Sequence, residues 1–453
     1  MDPQILQHHA TVSRTALDFL DHAVRQRQCL SRYELLDDDV HPMFRDYPYA
    51  LHSWPWFLAP GLRERLETCV TQVPTLLLRA MLAEFEDDAE GLAEAFDLSL
   101  PAAHLFLQRE PDASALLQRT DGVLTAEGFK IVELNCGAGI GGWQIHWMDG
   151  QYRKQPGLDR FMAGRACHSR HIPREFMAYL VRAMVERGLP CRLVMVTDRD
   201  FAERGGPAAV RAIFDEALQP FGRDGEIRFV EDPSGLQPRA DGLYHQGSRI
   251  GAFVGAEGMA DLTPMLLRAA LANQLFWPDS PLDTVLGDKR ALALLHQHRD
   301  SGLFSPAEQA LVDEFIPWSA PVRPGTVRHE GREQSLETLL RRQPAQFVVK
   351  VAQGMQGDDV FIGKYTPPAQ WDAVVSRALA EPGWLAQGFC ASLPFYGQRG
   401  DSGYGVFDVI WGVFGFGNRY GGTWLRLMDK DSGDGVINSS KGAQEAIVYE
   451  VEA

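Results

Sequence analysis

Two short apolar runs separated by a turn, Ala115-Leu116-Leu117-Gln118-Arg119 and Phe129-Lys130-Ile131-Val132-Glu133-Leu134, restrict the fold of this chain more than any other stretch. Their apolar content and the intervening Gly122 read as two paired strands. The informative part is Glu133-Leu134-Asn135. A carboxylate and an amide two residues apart on a strand project from the same face, and beside Ile131, Val132 and Leu134 such groups need a partner. Asp121 of Arg119-Thr120-Asp121 adds a second carboxylate. Together Asp121, Glu133 and Asn135 are hard oxygen donors, suited to Mg²⁺ shared with substrate phosphates. A solvated strand end is the plain alternative.

Gly137-Ala138-Gly139-Ile140-Gly141-Gly142 comes directly after and fits the dinucleotide fingerprint G-x-G-x-x-G behind a strand. That fingerprint should open a crossover helix whose N-terminus receives the pyrophosphate. Residues 143–150 leave only about two turns before a new segment begins, which is short for such a helix, so a dinucleotide-dependent enzyme is kept as an alternative.

Around this pair the pattern changes several times. Residues 12–110 read as mostly helical, from the spacing in Ala16-Leu17-Asp18-Phe19-Leu20 and in 62–82, with Trp54 and Trp56 around Pro55 as a packed loop. Residues 151–175 read as a loop in which Arg153, Lys154, Arg160, Arg165, Arg170, Arg174, His168 and His171 face almost only Asp159. Such a stretch, Arg153 and Arg170 included, suits an anionic substrate, or else is a solvated surface. From 176 to 275 helix and strand alternate, which implies parallel strands with crossover helices, and a hairpin is expected over 241–250. In the last third, Phe347-Val348-Val349-Lys350 and Val360-Phe361-Ile362-Gly363 enclose a loop rich in Gly and Gln, and residues 404–416 and 423–428 alternate like paired antiparallel strands.

Two further groups carry chemistry. Lys350 ends an apolar strand and runs into Gln353-Gly354-Met355-Gln356-Gly357, where an ammonium and backbone N–H groups can cover phosphates; Lys289 of Asp288-Lys289 lies upstream. Arg426, on the strand Thr423-Trp424-Leu425-Arg426-Leu427-Met428, has the planar fork that stabilises a transferring phosphoryl group or an acyl phosphate. The stretch from Gly433 to Gly442, with Asn438 and Lys441, supplies further backbone amides.

A formal net charge of −16 argues against general nucleic-acid binding, which needs a positive field. No apolar run is long enough to span a bilayer, and the N-terminus lacks a secretory pattern, so a cytoplasmic location is expected. The six cysteines show neither C-x-x-C pairs nor a disulfide frame, and are expected to be buried thiols.

The joint order of these blocks resembles the circularly permuted branch of the ATP-grasp superfamily, which includes glutathione synthetase and glutathionylspermidine-synthase-like proteins. In this chain Asp121 and Glu133-x-Asn135 come first, then Asp288-Lys289, then Lys350 with its glycine loop, then Ala386-Gln387-Gly388-Phe389, and last Arg426 and the 433–442 stretch. The resemblance implies a mixed α/β fold (α+β mixed) with antiparallel sheets enclosing the nucleotide. It implies a helical N-terminal region over 1–110, permuted metal-binding strands over 111–150, a small parallel α/β substrate-side domain over 151–280 and a nucleotide-binding domain over 281–453. It makes Lys289, Lys350, Gln353, Gly354, Gly357, Asn438 and Lys441 ATP-binding, and Gln387, Gly388 and Phe389 the adenine hinge. It makes Glu133 and Asn135 ligands of Mg²⁺, and Arg119 and Arg426 partners of the γ-phosphate and acyl phosphate. Where glutathione synthetases carry a metal-binding acid after the lysine strand, this chain has Gln353-Gly354, leaving Asp121, Asp358 or Asp359 to complete the shell.

The implied activity is an ATP-dependent carboxylate–amine ligase of peptide type, passing through an acyl phosphate and releasing ADP and phosphate. Its partners would be a small amino acid or peptide and, for assembly, a second copy in a homodimer. The same residues would also serve a kinase-like phosphotransferase or a catalytically inactive nucleotide-binding protein.

Overall fold

The two runs around Gly122 form a long antiparallel hairpin, Leu117–Thr125 and Gly128–Cys136, with Arg119 opposite Asn135 and Asp121 opposite Glu133. In the computed structural model, which describes residues 1–25, 40–41, 44, 47–255, 262–354, 357–400, 403–431 and 435–452, this hairpin is one edge of a six-stranded antiparallel sheet. Leu117–Thr125 pairs with Gly403–Phe416, and that strand with Tyr420–Asp429, which in turn pairs with Gln444–Ala446; Phe395–Arg399 also pairs with Gly403–Phe416. The sheet thus brings residues from the first and last thirds of the chain onto one face.

The reason these strands are long is visible in their composition. Gly403–Phe416 and Tyr420–Asp429 are rich in β-branched and aromatic residues, which fit a pleated surface, and for much of their length they are buried on both faces. Helix Pro60–Glu84 lies against this sheet, with Leu66, Val70, Val73 and Leu77 inside the same core as Val409, Val413 and Leu425. The N-terminal region is helical as expected, but Trp56 opens a short strand, Trp56–Leu58, parallel to Val448–Val451. Trp54 and Trp56 are both buried, the latter edge-on to Trp411 and Phe395.

A second antiparallel sheet of four strands runs in the order Ser319–Pro321, Trp384–Gly388, Phe347–Val351, Val360–Ile362. It has its own core, in which Phe347, Val349, Trp384 and Ala386 meet Leu336, Leu339 and Leu340 of helix Leu336–Arg342 and Trp371 and Val375 of helix Pro368–Ala380. The alternating segment gives the expected parallel layer: Ala252–Val254, Arg192–Val196 and Glu226–Val230, all parallel, with helices Ile172–Glu186 and Gly206–Leu218. Its hairpin is extended to three strands by Leu236–Arg239.

The mixed α/β fold with several antiparallel sheets is the class the sequence implied. The stretch 151–175 departs from its reading as a loop: it contains helices Asp149–Arg153 and Pro156–Met162 and strand Cys167–Ser169, which pairs with Val448–Val451. An i,i+4 pair from Asp149 to Arg153 supports the first helix. Among the described residues no helix is long and apolar enough to cross a membrane. The described cysteines are unbridged; Cys69 and Cys191 are buried and Cys136, Cys167 and Cys390 partly so, while Cys29 lies outside the described residues.

Candidate functional site

On the inner face of the six-stranded sheet, register alone aligns Glu133, Asp121, Gly412 and Trp424 across four neighbouring strands, with Asn135 and Arg119 one step along. Asp121 has no solvent exposure. Its carboxylate accepts two bonds from Arg119, Nε to Oδ1 at 2.6 Å and an Nη to Oδ2 at 2.8 Å, and a third from Arg426 at 2.7 Å, from 305 positions away. Bidentate pairing of this kind fixes a guanidinium in both position and plane. Burial alone lowers the proton affinity of Arg119, but Asp121, Glu133 and Glu445 reverse this and hold it firmly charged. Asp121 is therefore spent on orienting two arginines.

Both arginines lie over the ring of Trp424, their guanidinium carbons 5.1 Å (Arg119) and 5.0 Å (Arg426) from its centre. Two glycines make room for it. A Cβ on Gly412 would stand 2.7 Å from the indole and 3.1 Å from Arg119 Cδ, and one on Gly142, whose φ is +89°, would stand 2.5 Å from the ring. The glycine run 137–142 is thus a tight turn over Trp424, held by Arg119 donating to Gly141 O at 2.7 Å. Its strand is antiparallel to its neighbour, and Gly142 leads into a six-residue 3₁₀ segment, Trp143–Met148. The dinucleotide reading is overturned, because it requires a parallel strand and a full helix in those places.

The lysines approach from the four-stranded side. Lys350 is buried and donates to Val132 O at 2.7 Å and to Gln387 Oε1 at 2.8 Å. Burial draws its pKa down to about 7 against the opposing pull of Glu133. Lys289, also buried, donates to Gly354 O at 2.9 Å and lies 3.3 Å from Glu133. Burial would raise the Glu133 carboxyl, but Lys289, Lys350, Arg426 and Arg119 together hold it at about 2. Its side chain keeps 25% of its exposure, so it is reachable. Asn135 turns its Nδ2 to Asp121 Oδ2 at 3.2 Å and Arg119 O at 3.4 Å, which directs its Oδ1 elsewhere. One atom stands out: Arg426 Nε is buried with no hydrogen-bond partner among the described residues.

Of the remaining expected residues, Gln353 donates to Asp288 at 3.3 Å. Gly357, with φ +75°, accepts from Lys441 Nζ at 2.6 Å, and a Cβ placed on it would stand 3.0 Å from Val436 and 3.5 Å from Asn438, so the glycine loop meets the 435–442 segment. Asn438 caps the short turn Ser439–Lys441 through Ser440. Met355, Gln356, Gly433 and Asp434 lie outside the described residues. In the expected hinge, Gly388 N donates to Trp318 O and Phe389 N to Gln346 O, each at 2.7 Å. Asp359 pairs with Arg377 on the surface and Asp358 is exposed. Among the described residues there is no group of three His, Cys, Asp or Glu side chains placed to hold a metal.

Three arginines of the basic stretch have carboxylate partners, two of them from distant segments. Arg170 grips Glu450 at 2.7 and 2.8 Å, Arg174 meets Glu216, and Arg153 meets Asp149. The Glu450 bond and burial act on Arg170 in opposite senses, and the bond prevails, raising its proton affinity. No bond links Arg153 or Arg170 to the Asp121 cluster among the described residues. Sequence reasoning passed over Trp424 and Glu445. The former shares a face with Arg426 by strand parity, which is a readable signal; the latter is a lone acid before the apolar run Ala446-Ile447-Val448, which carries no motif.

No family model and no curated protein sequence matches this chain. A solved structure does. The glutathione synthetase like-effector GSS30 from Globodera pallida aligns with a TM-score of 0.57 at 13% identity, over 100% of this chain and 98% of that one. The fold is glutathione synthetase-like. At 13% identity the alignment speaks to the backbone course alone.

Proposed function

We propose that this chain is an ATP-dependent ligase that joins a carboxylate to an amine through an acyl phosphate. The observation that carries the reading is a cluster of cations in a buried place: among the described residues Arg119, Arg426, Lys289 and Lys350 converge on the ion-paired carboxylates Asp121 and Glu133, with Glu445 the further acid acting on the arginines. Cations in a low-dielectric site need matching anions, and the unpartnered Nε of Arg426 is the kind of donor a phosphate oxygen satisfies. A polyphosphate supplies both. The order of motifs and the fold agree with the reading.

Glu133 and Asn135 Oδ1 fit Mg²⁺, being hard oxygens on one strand face with partial access; such an ion takes one or two protein oxygens and fills its shell with phosphate and water. When bound, the metal neutralises phosphate charge. Everything else falls to the chain. Lys289 and Lys350 would exchange Glu133 and backbone carbonyls for phosphate oxygens. Arg426 and Arg119, fixed by Asp121, would face the transferring γ-phosphoryl and then the acyl phosphate. The substrate carboxylate oxygen bonds to the γ-phosphorus as ADP leaves; the amine nitrogen then bonds to the acyl carbon as phosphate leaves. No protein nucleophile is required.

A second reading, a nucleotide-binding protein without turnover, is favoured by the place after the lysine strand, where Gln353-Gly354 stands and the next acids, Asp358 and Asp359, are exposed. The experiment is Mg-ATP hydrolysis to ADP measured against a panel of amino acids and amines, with the Glu133→Gln, Asn135→Ala double variant as control. The expected outcome is substrate-stimulated ADP release that falls by ~10²-fold or more in the double variant, the scale of losing one preorganised electrostatic contact. Binding without turnover in every pairing supports the second reading, and release of AMP, or absence of Mg-ATP binding, sinks the first.

A further inference from the structure

Glu445 is 1% exposed and makes no salt bridge among the described residues. An uncompensated buried carboxylate is expensive, and burial pushes this one upward even though Tyr47, Ser439, Arg426 and Trp424 pull the other way. Three neutral donors hold it: Tyr47 OH at 2.7 Å, Ser439 Oγ at 2.7 Å and the indole Nε1 of Trp424 at 3.2 Å. They come from three separate segments: the N-terminal region, the loop that reaches Gly357, and the strand of Arg426. The Glu445 backbone is equally fixed, exchanging bonds with Ala50 O and His52 N on one side and facing Arg426 across the sheet on the other.

The consequence runs through Trp424. An indole has one donor, so the bond to Glu445 removes the ring's freedom to turn about its long axis, and the glycines at 142 and 412 leave only a slot for it. Arg119 and Arg426 both lie against that ring. A cation over an indole is held by the ring quadrupole as well as by its carboxylate, so the tilt of the ring helps set both guanidinium planes. We infer that Glu445 is a positioning residue: it fixes the indole of Trp424, and through it the two arginines that face the transferring phosphoryl group. The inference rests on the proposed ligase reading only for what the arginines do.

The test uses the full chain as wild type, Glu445→Gln, Trp424→Phe and the double variant. Glutamine keeps the shape and one acceptor; phenylalanine keeps a ring for the arginines and removes the N–H. Two measurements are made on each: Mg-ATP affinity by calorimetry, and the near-ultraviolet dichroism of Trp424, isolated as the difference between backgrounds with and without it. Glu445→Gln should weaken Mg-ATP binding by ~10-fold and alter the Trp424 spectrum, while the double variant binds no more weakly than Trp424→Phe alone. Equal loss from Glu445→Gln in both backgrounds overturns the route through Trp424, since that route requires coupling. If wild type fails to bind Mg-ATP, the ligase reading falls, and the spectrum decides alone: a Trp424 signal unchanged by Glu445→Gln overturns the positioning role.

Discussion

The two halves of the candidate site hold their charges in opposite ways. On the six-stranded sheet, Asp121, Arg119, Arg426 and Asn135 satisfy one another within a single layer. On the other side the lysines reach outward: Lys350 of the four-stranded sheet takes the Val132 carbonyl of the six-stranded one, and Lys289, on the segment leading into helix Ala291–Gln297, takes Glu133. The cores are also split, with the four-stranded sheet of Lys350 and its two helices separate from the main cluster, to which Leu286, Ala291 and Leu292 around Lys289 belong. The arginine half is preorganised, with the Nε of Arg426 left open among the described residues. The lysine half borrows partners that a phosphate can displace, so the contacts between the halves are the ones expected to exchange on ligand binding.

The sharpest way to break this contrast is Asp121→Asn. It removes the anion shared by two guanidiniums that are themselves buried, and removing one partner of a buried ionic cluster costs about 3–5 kcal/mol. Urea melts should show a loss of that size. A loss under about 1 kcal/mol would mean the arginines find other anions, and the half is less self-contained than its bonds suggest.

Next comes Glu133, where the halves meet. Its folded pKa of about 2 lies below the ordinary 4.5, so between those values the unfolded chain binds the extra proton. The resulting stability, on the order of 3 kcal/mol at 1.36 per unit, is present above pH 4.5 and is lost as pH falls toward 2. Glu133→Gln removes the titrating group. Its stability difference from wild type should therefore shrink steadily from pH 5 to pH 2.5, and a constant difference would show that the four cations do not act on this carboxylate.

How far the sequence foretold this depends on where each residue finds its partner. The hairpin, the long strands 403–416 and 420–429 and the parallel layer arise from period-two alternation and strand–helix rhythm, which are local signals. Glu133 and Asn135 share a face for the same local reason. The job of Asp121 was not legible, because its second guanidinium arrives from Arg426 through sheet pairing alone. The basic run at 153–174 misled for the same reason in reverse: its charges look free until Glu216 and Glu450 arrive from distant segments. Glu445 was overlooked because a lone acid before an apolar strand has no motif, only a burial that tertiary structure reveals.

The smallest effect sharpens the contrast from the solvent side. Lys441 Nζ donates to Gly357 O at 2.6 Å, an exposed contact joining the glycine loop of the four-stranded half to the 435–442 segment beyond the six-stranded sheet's Tyr420–Asp429 strand. Exposed bonds from flexible ammonium groups add little to global stability, so Lys441→Ala should cost no more than about 0.5 kcal/mol in a urea melt. Locally the outcome differs, since the Lys441 bond ties the Gly357 backbone to the 435–442 segment. Amide exchange in the loop after Lys350 should quicken by several-fold while the Leu117–Cys136 hairpin exchanges as before, because loops with few buried contacts open independently of the core. Equal acceleration in both places would mean that the two halves open together and that the division drawn from their cores and bonds does not describe how the molecule moves.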